Sequence, residues 1–260
     1  MHRRQGPQGR VLAYPERAGA RPAAVQLVSR LGRVGAWSLL AACSWTDPAP
    51  SSPCPDDMAH IPAGVAVIGS VRGGPDYYRP REEIPHEGYC IDRYEWPNQE
   101  GELPRADVSW DEAVAACQDV GKRLCSDLEW ERACRGPEGR RYSYGEQRDP
   151  RACNTPIQGS GPKDGDAPIA PSGSFPRCVT PEGVYDLNGS LSEWVADPWS
   201  GRSEPFNEDA VVDPATWRTL RGGTMWFLTF YGQECMSRHG HRKASFRNMD
   251  DGFRCCRDAQ

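Results

Sequence analysis

The sequence predicts a domain with little regular secondary structure, in which disulfides hold long loops together. Its 260 residues include 27 Gly and 24 Pro, residues that supply turns with positive or fixed φ angles. They also include 11 Cys, an abundance typical of proteins from oxidising compartments. Apolar residues make up 38% of the chain, which is enough for a core. Helices and strands are therefore expected to be short and few.

Residues 1–43 have the features of an export signal. The first 33 residues carry seven Arg and one Glu, and the apolar run from Val34 to Cys43 that follows them is too short to span a bilayer. The ending Leu40-Ala-Ala-Cys43 is similar to a bacterial lipobox, in which Cys43 is acylated and becomes the mature N-terminus. A small N-terminal helix of a cytosolic protein is the alternative. We expect an exported protein, lipid-anchored in the bacterial cell envelope and facing the periplasm or the surface.

The remainder of the chain divides into a tether and one domain. Residues 44–57 are rich in Pro and Ser and have no apolar period, which predicts a tether between the anchor and the domain. Residues 58–260 then form the domain. The chain carries a net charge of -5 although its N-terminal segment is basic, so the acidic excess lies in the domain. Because nucleic-acid binding needs clustered Lys and Arg, no nucleic-acid partner is expected.

The regular elements of the domain begin with two predicted strands. Residues 63–69 form a short apolar run bounded by glycines, and residues 88–96 alternate between apolar and polar side chains. The turn sequence Gly73-Gly-Pro-Asp76 separates the two runs. The pattern predicts an extended segment, a turn and a second extended segment.

Two capping boxes predict the helices. Ser109-Trp-Asp-Glu112 is followed by apolar residues at helical spacing until Gly121, and Ser126-Asp-Leu-Glu129 opens a similar stripe that ends at Gly136. The first helix turns Cys117 toward the core and the second turns Cys134. Both cysteines therefore need distant partners.

A long polar segment follows the second helix. Residues 142–181 are rich in Gly and Pro and show no clear period. A loop of this length needs ions or disulfides to hold it in a compact domain. Cys153 and Cys178 flank it, and Asp164 and Asp166 lie at its tip.

The cysteines outside the lipobox are even in number and lack the spacing of zinc ligands. They are Cys54, Cys90, Cys117, Cys125, Cys134, Cys153, Cys178, Cys235, Cys255 and Cys256. We expect up to five disulfides, with metal–thiolate binding as the weaker alternative.

Seven sequence motifs that occur in a fixed order resemble those of a known family. They are Ile61-Pro-Ala-Gly64, Tyr89-Cys-Ile-Asp-Arg-Tyr-Glu95, Val108-Ser-Trp-Asp-Glu-Ala-Val114, Lys122-Arg-Leu-Cys-Ser-Asp-Leu-Glu-Trp-Glu-Arg-Ala-Cys134, Asn188-Gly-Ser-Leu-Ser-Glu-Trp194, Leu220-Arg-Gly-Gly-Thr224 and Gly252-Phe-Arg-Cys255. Over about residues 58–258 the chain resembles the formylglycine-generating enzyme, or sulfatase-modifying factor, family. Its superfamily also includes proteins of ergothioneine biosynthesis and pyoverdine maturation.

The resemblance implies an α+β, C-type-lectin-like fold that disulfides and calcium stabilise. It also implies the pairs Cys117–Cys255 and Cys134–Cys235. The other six cysteines permit 15 pairings, and we expect Cys256 to pair with a residue such as Cys90 or Cys54.

The resemblance further implies two calcium sites, whose ligands are carboxylates and carbonyl oxygens. In the first site, Asp186 and Glu193 would provide carboxylates and Gly189 and Leu191 would provide carbonyls. The second site maps onto Asn154, Thr155, Asp164 and Asp166. The alternative for both sets is that they are solvated residues of turns.

Copper chemistry is not expected, although family enzymes use copper and two cysteines to oxidise a substrate cysteine to formylglycine. A soft Cu(I) ion needs thiolates, and the family cysteines fall on or near Phe227 and Gly232. One alternative is a superfamily oxidoreductase with altered metal chemistry that acts on a peptide or a small molecule. Its metal ligands would include His239 and His241, with His60, His86 or Asp250.

An aromatic segment follows the Gly222-Gly223 turn at the position where the family binds an extended peptide. Trp226, Phe227 and Tyr231, with Arg221 or Arg238, are therefore candidates for a groove that holds a peptide or an envelope protein. Large rings also fill cores, which is the alternative for this set.

Overall fold

The computed structural model describes residues 52–70, 79–155, 169–199, 215–224 and 233–260, with the exception of the side chains of residues 241–243. The chain divides into two units, Met1–Pro48 and Ala49–Gln260. Cys43 and the predicted export signal lie outside the described residues. Within the described ranges, no helix combines the length and the apolar character that a membrane crossing requires.

The described ranges contain two short helices and ten short strands. The strands are β1 (Met58–Ile61), β2 (Gly64–Ile68), β3 (Glu82–His86), β4 (Tyr89–Asp92), β5 (Arg123–Leu124), β6 (Ser192–Pro198), β7 (Trp217–Arg221), β8 (Arg238–Lys243), β9 (Asp251–Phe253) and β10 (Cys255–Asp258), and the helices are α1 (Trp110–Asp119) and α2 (Asp127–Arg135). The predicted scarcity of regular structure is confirmed.

The strands form three small sheets. Their orders are β1-β4-β10-β5, β2-β3 and β8-β7-β6-β9. All described pairs are antiparallel except β6 and β9, which run parallel. Strands β9 and β10 are separated by Arg254 alone and belong to different sheets. The C-terminal segment therefore joins the two four-stranded sheets.

Both helices begin as their capping boxes predict. In each box the serine hydroxyl accepts a hydrogen bond from the backbone N–H of the third helical residue, and the Glu side chain accepts one from the serine N–H. Gly136 ends α2 with a φ of 64°, a conformation that glycine adopts readily. Cys117 and Cys134 are fully buried, so each helix directs its cysteine into the core.

The α2 capping box gives a pH-dependent prediction. Burial would raise the pKa of Glu129, but hydrogen bonds from Arg123 and from the Ser126 backbone lower it below its ordinary value of 4.5. A carboxylate of this kind stabilises the fold above its unfolded pKa, and its contribution is lost as the pH falls through the folded pKa. Glu129→Gln, which keeps a capping acceptor, is expected to cost about 1 kcal/mol at pH 7, and this cost should shrink as the pH falls through the folded pKa of Glu129.

Urea denaturation of both proteins between pH 3 and pH 7 measures this difference. Glu112→Gln, in the more exposed box of α1, is the control and is expected to have the smaller effect. A loss for Glu129→Gln that stays constant over the whole pH range would contradict the prediction.

All ten described cysteines form disulfides. The bridges are Cys54–Cys90, Cys117–Cys255, Cys125–Cys256, Cys134–Cys235 and Cys153–Cys178. They include the two pairs that the family resemblance implies. The expected pairing of Cys256 with Cys90 or Cys54 is wrong, because β10 lies between β4 and β5 and Cys256 is opposite Arg123. Cys125, which follows β5 directly, is therefore its partner.

Large aromatic side chains make up much of the core. Trp130 lies in one cluster with the Cys134–Cys235 bridge, and Trp194 lies in a second with the Cys117–Cys255 bridge. Trp199 is also fully buried. These three tryptophans are therefore part of the core.

Candidate functional site

The Gly222-Gly223 turn lies at the centre of the candidate site. It follows β7, and both glycines have positive φ angles, 88° and 64°. A Cβ atom on Gly222 would lie 3.3 Å from the Leu187 carbonyl oxygen and from the Trp130 ring, so the turn packs closely against α2 and the loop before β6. The residues that follow it, 225–232, are outside the described ranges. They include Trp226, Phe227, Tyr231 and Gly232.

Arg221 does not line a groove, which corrects the sequence-based hypothesis. It is fully buried, and its Nη2 donates to Glu131 Oε2 at 2.8 Å while its Nε donates to Asp127. Its Nη1 donates to the Cys235 carbonyl at 3.2 Å. Because these partners use the donors of the guanidinium group, Arg221 stabilises the scaffold beneath the turn.

Arg238, the other described residue of the candidate groove, is also largely buried. Its side chain is 9% exposed, and its Nη1 lies 3.6 Å from Asp127 Oδ2. The guanidinium carbon lies 5.2 Å from the centroid of the Trp199 ring. Burial and the neighbouring Arg221 charge lower the pKa of Arg238 to about 10.

A third arginine belongs to the same charge cluster. Arg79 forms an ion pair with Asp127, and burial together with repulsion from Arg221 and Arg238 lowers its pKa to about 10. Neither Arg79 nor its acidic partners were expected from the sequence. The sequence pattern that could have indicated this cluster is the four-residue spacing of Asp127 and Glu131, which puts both carboxylates on one face of α2.

The loop before β6 contains the first predicted calcium site. Asp186 has a φ of 61° and Gly189 a φ of 86°. A Cβ atom on Gly189 would lie 2.2 Å from the Asn154 carbonyl oxygen, and that oxygen accepts a hydrogen bond from Ser190 N at 2.9 Å. Asn154, a predicted ligand of the second calcium site, therefore contacts the loop of the first.

The other predicted ligands of the second site are placed less fully. Thr155 N donates to the Cys153 carbonyl at 2.8 Å, which fixes its backbone beside the Cys153–Cys178 bridge. Asp164 and Asp166 lie outside the described residues.

Glu193 does not fit the role of a calcium ligand. It is fully buried, and Arg254 donates to both of its carboxylate oxygens at 2.7 Å. Trp130 Nε1 donates to the same carboxylate at 2.8 Å. Glu193 is therefore the partner in a saturated buried ion pair.

Asp186 and Glu95 are the other acids near this loop. Burial raises the pKa of Asp186 to about 6, and its Oδ2 accepts a hydrogen bond from Gly173 N at 2.7 Å. Burial and the charges of Glu193 and Asp186 raise the pKa of Glu95 well above its ordinary value. Calcium binding by Asp186 with the Gly189 and Leu191 carbonyls stays a prediction.

The histidines do not meet at a metal site in the part of the chain that the structure describes. His60, His86 and His239 lie in β1, β3 and β8, which belong to three different sheets. The described residues contain no group of three or more His, Cys, Asp or Glu side chains arranged to hold a metal ion. The side chain of His241 lies outside the described residues, so a site that pairs it with His239 stays a prediction.

Comparison with known sequences identifies one family. The model described as "Sulfatase-modifying factor enzyme 1-like domain" matches residues 97–259. The formylglycine-generating enzyme of Mus musculus is 31% identical over 170 residues, which is 60% of this chain and 44% of that protein. The enzyme of Thermomonospora curvata is 32% identical over 176 residues, or 60% of this chain and 55% of that protein.

An inactive relative matches equally well. The inactive C-alpha-formylglycine-generating enzyme 2 of Mus musculus is 34% identical over 173 residues, which is 61% of this chain and 50% of that protein. The chain spans about half the length of these curated relatives.

Solved structures show the fold. Treponema denticola variable protein 1 superposes with a TM-score of 0.59 at 17% identity, over 76% of this chain and 94% of that one. CarF superposes with a TM-score of 0.58 at 18% identity, over 79% of this chain and 99% of that one. The α+β, C-type-lectin-like fold with little regular structure is confirmed.

Proposed function

Because the chain belongs to the sulfatase-modifying factor enzyme 1-like family, we propose that residues 58–260, together with Cys54 and its bridge to Cys90, form a formylglycine-generating-enzyme-like domain that does not oxidise cysteine to formylglycine. The domain acts instead as a non-catalytic binding domain of an exported lipoprotein. Its ligand is a peptide or an envelope protein, and nucleic acid is not a partner.

The main support for this proposal is that the domain contains no free cysteines. The ten cysteines from Cys54 to Cys256 are all joined in disulfides, and the sequence has no cysteine between Cys178 and Cys235. Cu(I) chemistry of the family kind needs a pair of thiolates, and none is left in the domain. The similarity to an inactive relative supports the same conclusion.

The disulfides support export of the protein, and Cys43 supports its anchoring to a membrane. Five disulfides in one domain need an oxidising compartment, and Cys43 supplies the residue that a lipobox acylates. The retained Gly222-Gly223 turn supports a ligand surface near the family position. Calcium in the loop around Asp186 would be structural.

An activity assay with a thiol count tests the proposal. The purified protein is incubated with copper, oxygen and a Cys-x-Pro-x-Arg peptide, and the peptide mass is followed beside a formylglycine-generating enzyme as positive control. We expect no aldehyde product and no copper retained in stoichiometric amount. A Cys43→Ser variant should show no free thiol after denaturation without reductant. Formation of the aldehyde would overturn the proposal.

A further inference from the structure

Two adjacent carboxylates lie where β9 begins. Asp250 precedes Asp251, the first residue of β9, and Asp251 is opposite Ser192 in the parallel pair of β9 and β6. Ser192 N donates to the Asp250 carbonyl at 2.8 Å. Since side chains opposite each other in register lie on the same face of a sheet, the Ser192 hydroxyl and the Asp251 carboxyl group are neighbours.

One side-chain oxygen of each of these three residues has no hydrogen-bond partner in the part of the chain that the structure describes. Asp251 is 1% exposed and Ser192 is fully buried. Asp251 Oδ2, Ser192 Oγ and Asp250 Oδ1 are buried and accept or donate no hydrogen bond among the residues that the structure describes. Buried polar atoms are bonded in the great majority of cases, so three orphaned oxygens from neighbouring residues indicate a missing ligand.

The charges at this position are also uncompensated. The side chain of Asp250 forms a hydrogen bond with Thr224. Neither Asp250 nor Asp251 forms an ion pair with a basic side chain in the described ranges.

The next residue of β6 provides a contrast. The side chain of Glu193 projects from the opposite face of the strand to that of Ser192, and Arg254 neutralises it. The protein therefore supplies a cation to the carboxylate on one face of β6, and none of the described basic side chains pairs with Asp251 on the other face.

We propose that Asp250, Asp251 and the Ser192 hydroxyl bind a hard divalent cation, Mg²⁺ or Ca²⁺. All the donors are oxygens, which favour these ions over softer metals. With only two carboxylates the ion keeps several waters, as Mg²⁺ commonly does. The hydrogen bond between Asp250 and Thr224 connects this site to the Gly222-Gly223 turn. None of its ligands belongs to the loop that contains Asp186.

A metal titration on the full chain tests this proposal. Bound metal is removed with EDTA, Mg²⁺ and Ca²⁺ are added separately, and thermal unfolding and the number of ions bound per chain are measured. We expect one of the two ions to raise the unfolding temperature of the wild type. The Asp250→Asn/Asp251→Asn variant should bind one ion fewer, or bind it about tenfold or more weakly.

Two control variants separate this site from other effects. Asp258→Asn removes an exposed carboxyl group of β10 and should leave ion binding unchanged. Asp186→Asn tests the predicted calcium loop and should leave the ion at Asp250 and Asp251 in place.

If the double variant does not fold, Asp250→Asn alone at the half-buried position replaces it, with the same expectation. Equal ion binding by the wild type and the folded variant overturns the proposal, and so does a wild type that binds neither ion. Neither result tests whether the protein forms formylglycine. The cation-site proposal can therefore be wrong while the proposed function holds, and the reverse.

Discussion

Replacing Arg254 with Met is expected to destabilise the domain by about 3–5 kcal/mol. The substitution leaves the fully buried Glu193 carboxylate without its bidentate partner. It also removes the donor to the Tyr185 carbonyl, which Arg254 Nη2 contacts at 2.9 Å. The unpaired charge would then lie beside the buried acid Glu95. Urea denaturation with all disulfides intact measures the loss.

A matched control lies on the neighbouring strand. Arg257→Met replaces a half-buried arginine of β10 and is expected to change stability by no more than about 0.5 kcal/mol. The Glu193→Gln/Arg254→Met double variant should recover part of the loss, because it removes the stranded charge. Equal losses for Arg254→Met and Arg257→Met would contradict this account of the ion pair.

The helices could be predicted from sequence because their signals are local. Ser109 with Glu112, and Ser126 with Glu129, each fix a helix start within four residues of chain. The pairing of β6 with β9 has no comparable signal, because Ser192 and Asp251 are distant in sequence. The overall architecture was therefore reached through the family resemblance.

The candidate site was predicted less well, for the same reason. Arginine is rarely buried unless it is paired, so sequence alone favours an exposed Arg221. Its partners Asp127 and Glu131 lie 94 and 90 residues away. Glu193 was similarly expected at a calcium site because its partner Arg254 lies 61 residues away. Burial and long-range pairing decide the role of each charged residue.

The disulfides are expected to contribute according to the length of the loop that each one closes. Cys134–Cys235 joins residues 101 positions apart and Cys153–Cys178 joins residues 25 positions apart. The Cys125–Cys256 bridge stays closed, and through it Cys134 and Cys235 are connected by segments of only 9 and 21 residues. Chain-entropy arguments therefore give about 3–4 kcal/mol for either bridge, and replacing both cysteines of either one with Ala should cost about the same.

The comparison isolates loop closure because all four cysteines are at most 1% exposed, so both replacements remove the same buried atoms. The two double variants are compared by urea denaturation under non-reducing conditions. Losses that agree to within about 1 kcal/mol are expected. A clearly larger loss for Cys134 and Cys235 would mean that local packing around the sulfur atoms, such as the contact of Asn188 Nδ2 with the Cys235 sulfur at 3.8 Å, outweighs the loop entropy. In that case the Cys134–Cys235 bridge would stabilise the packing of α2 beyond what loop closure provides.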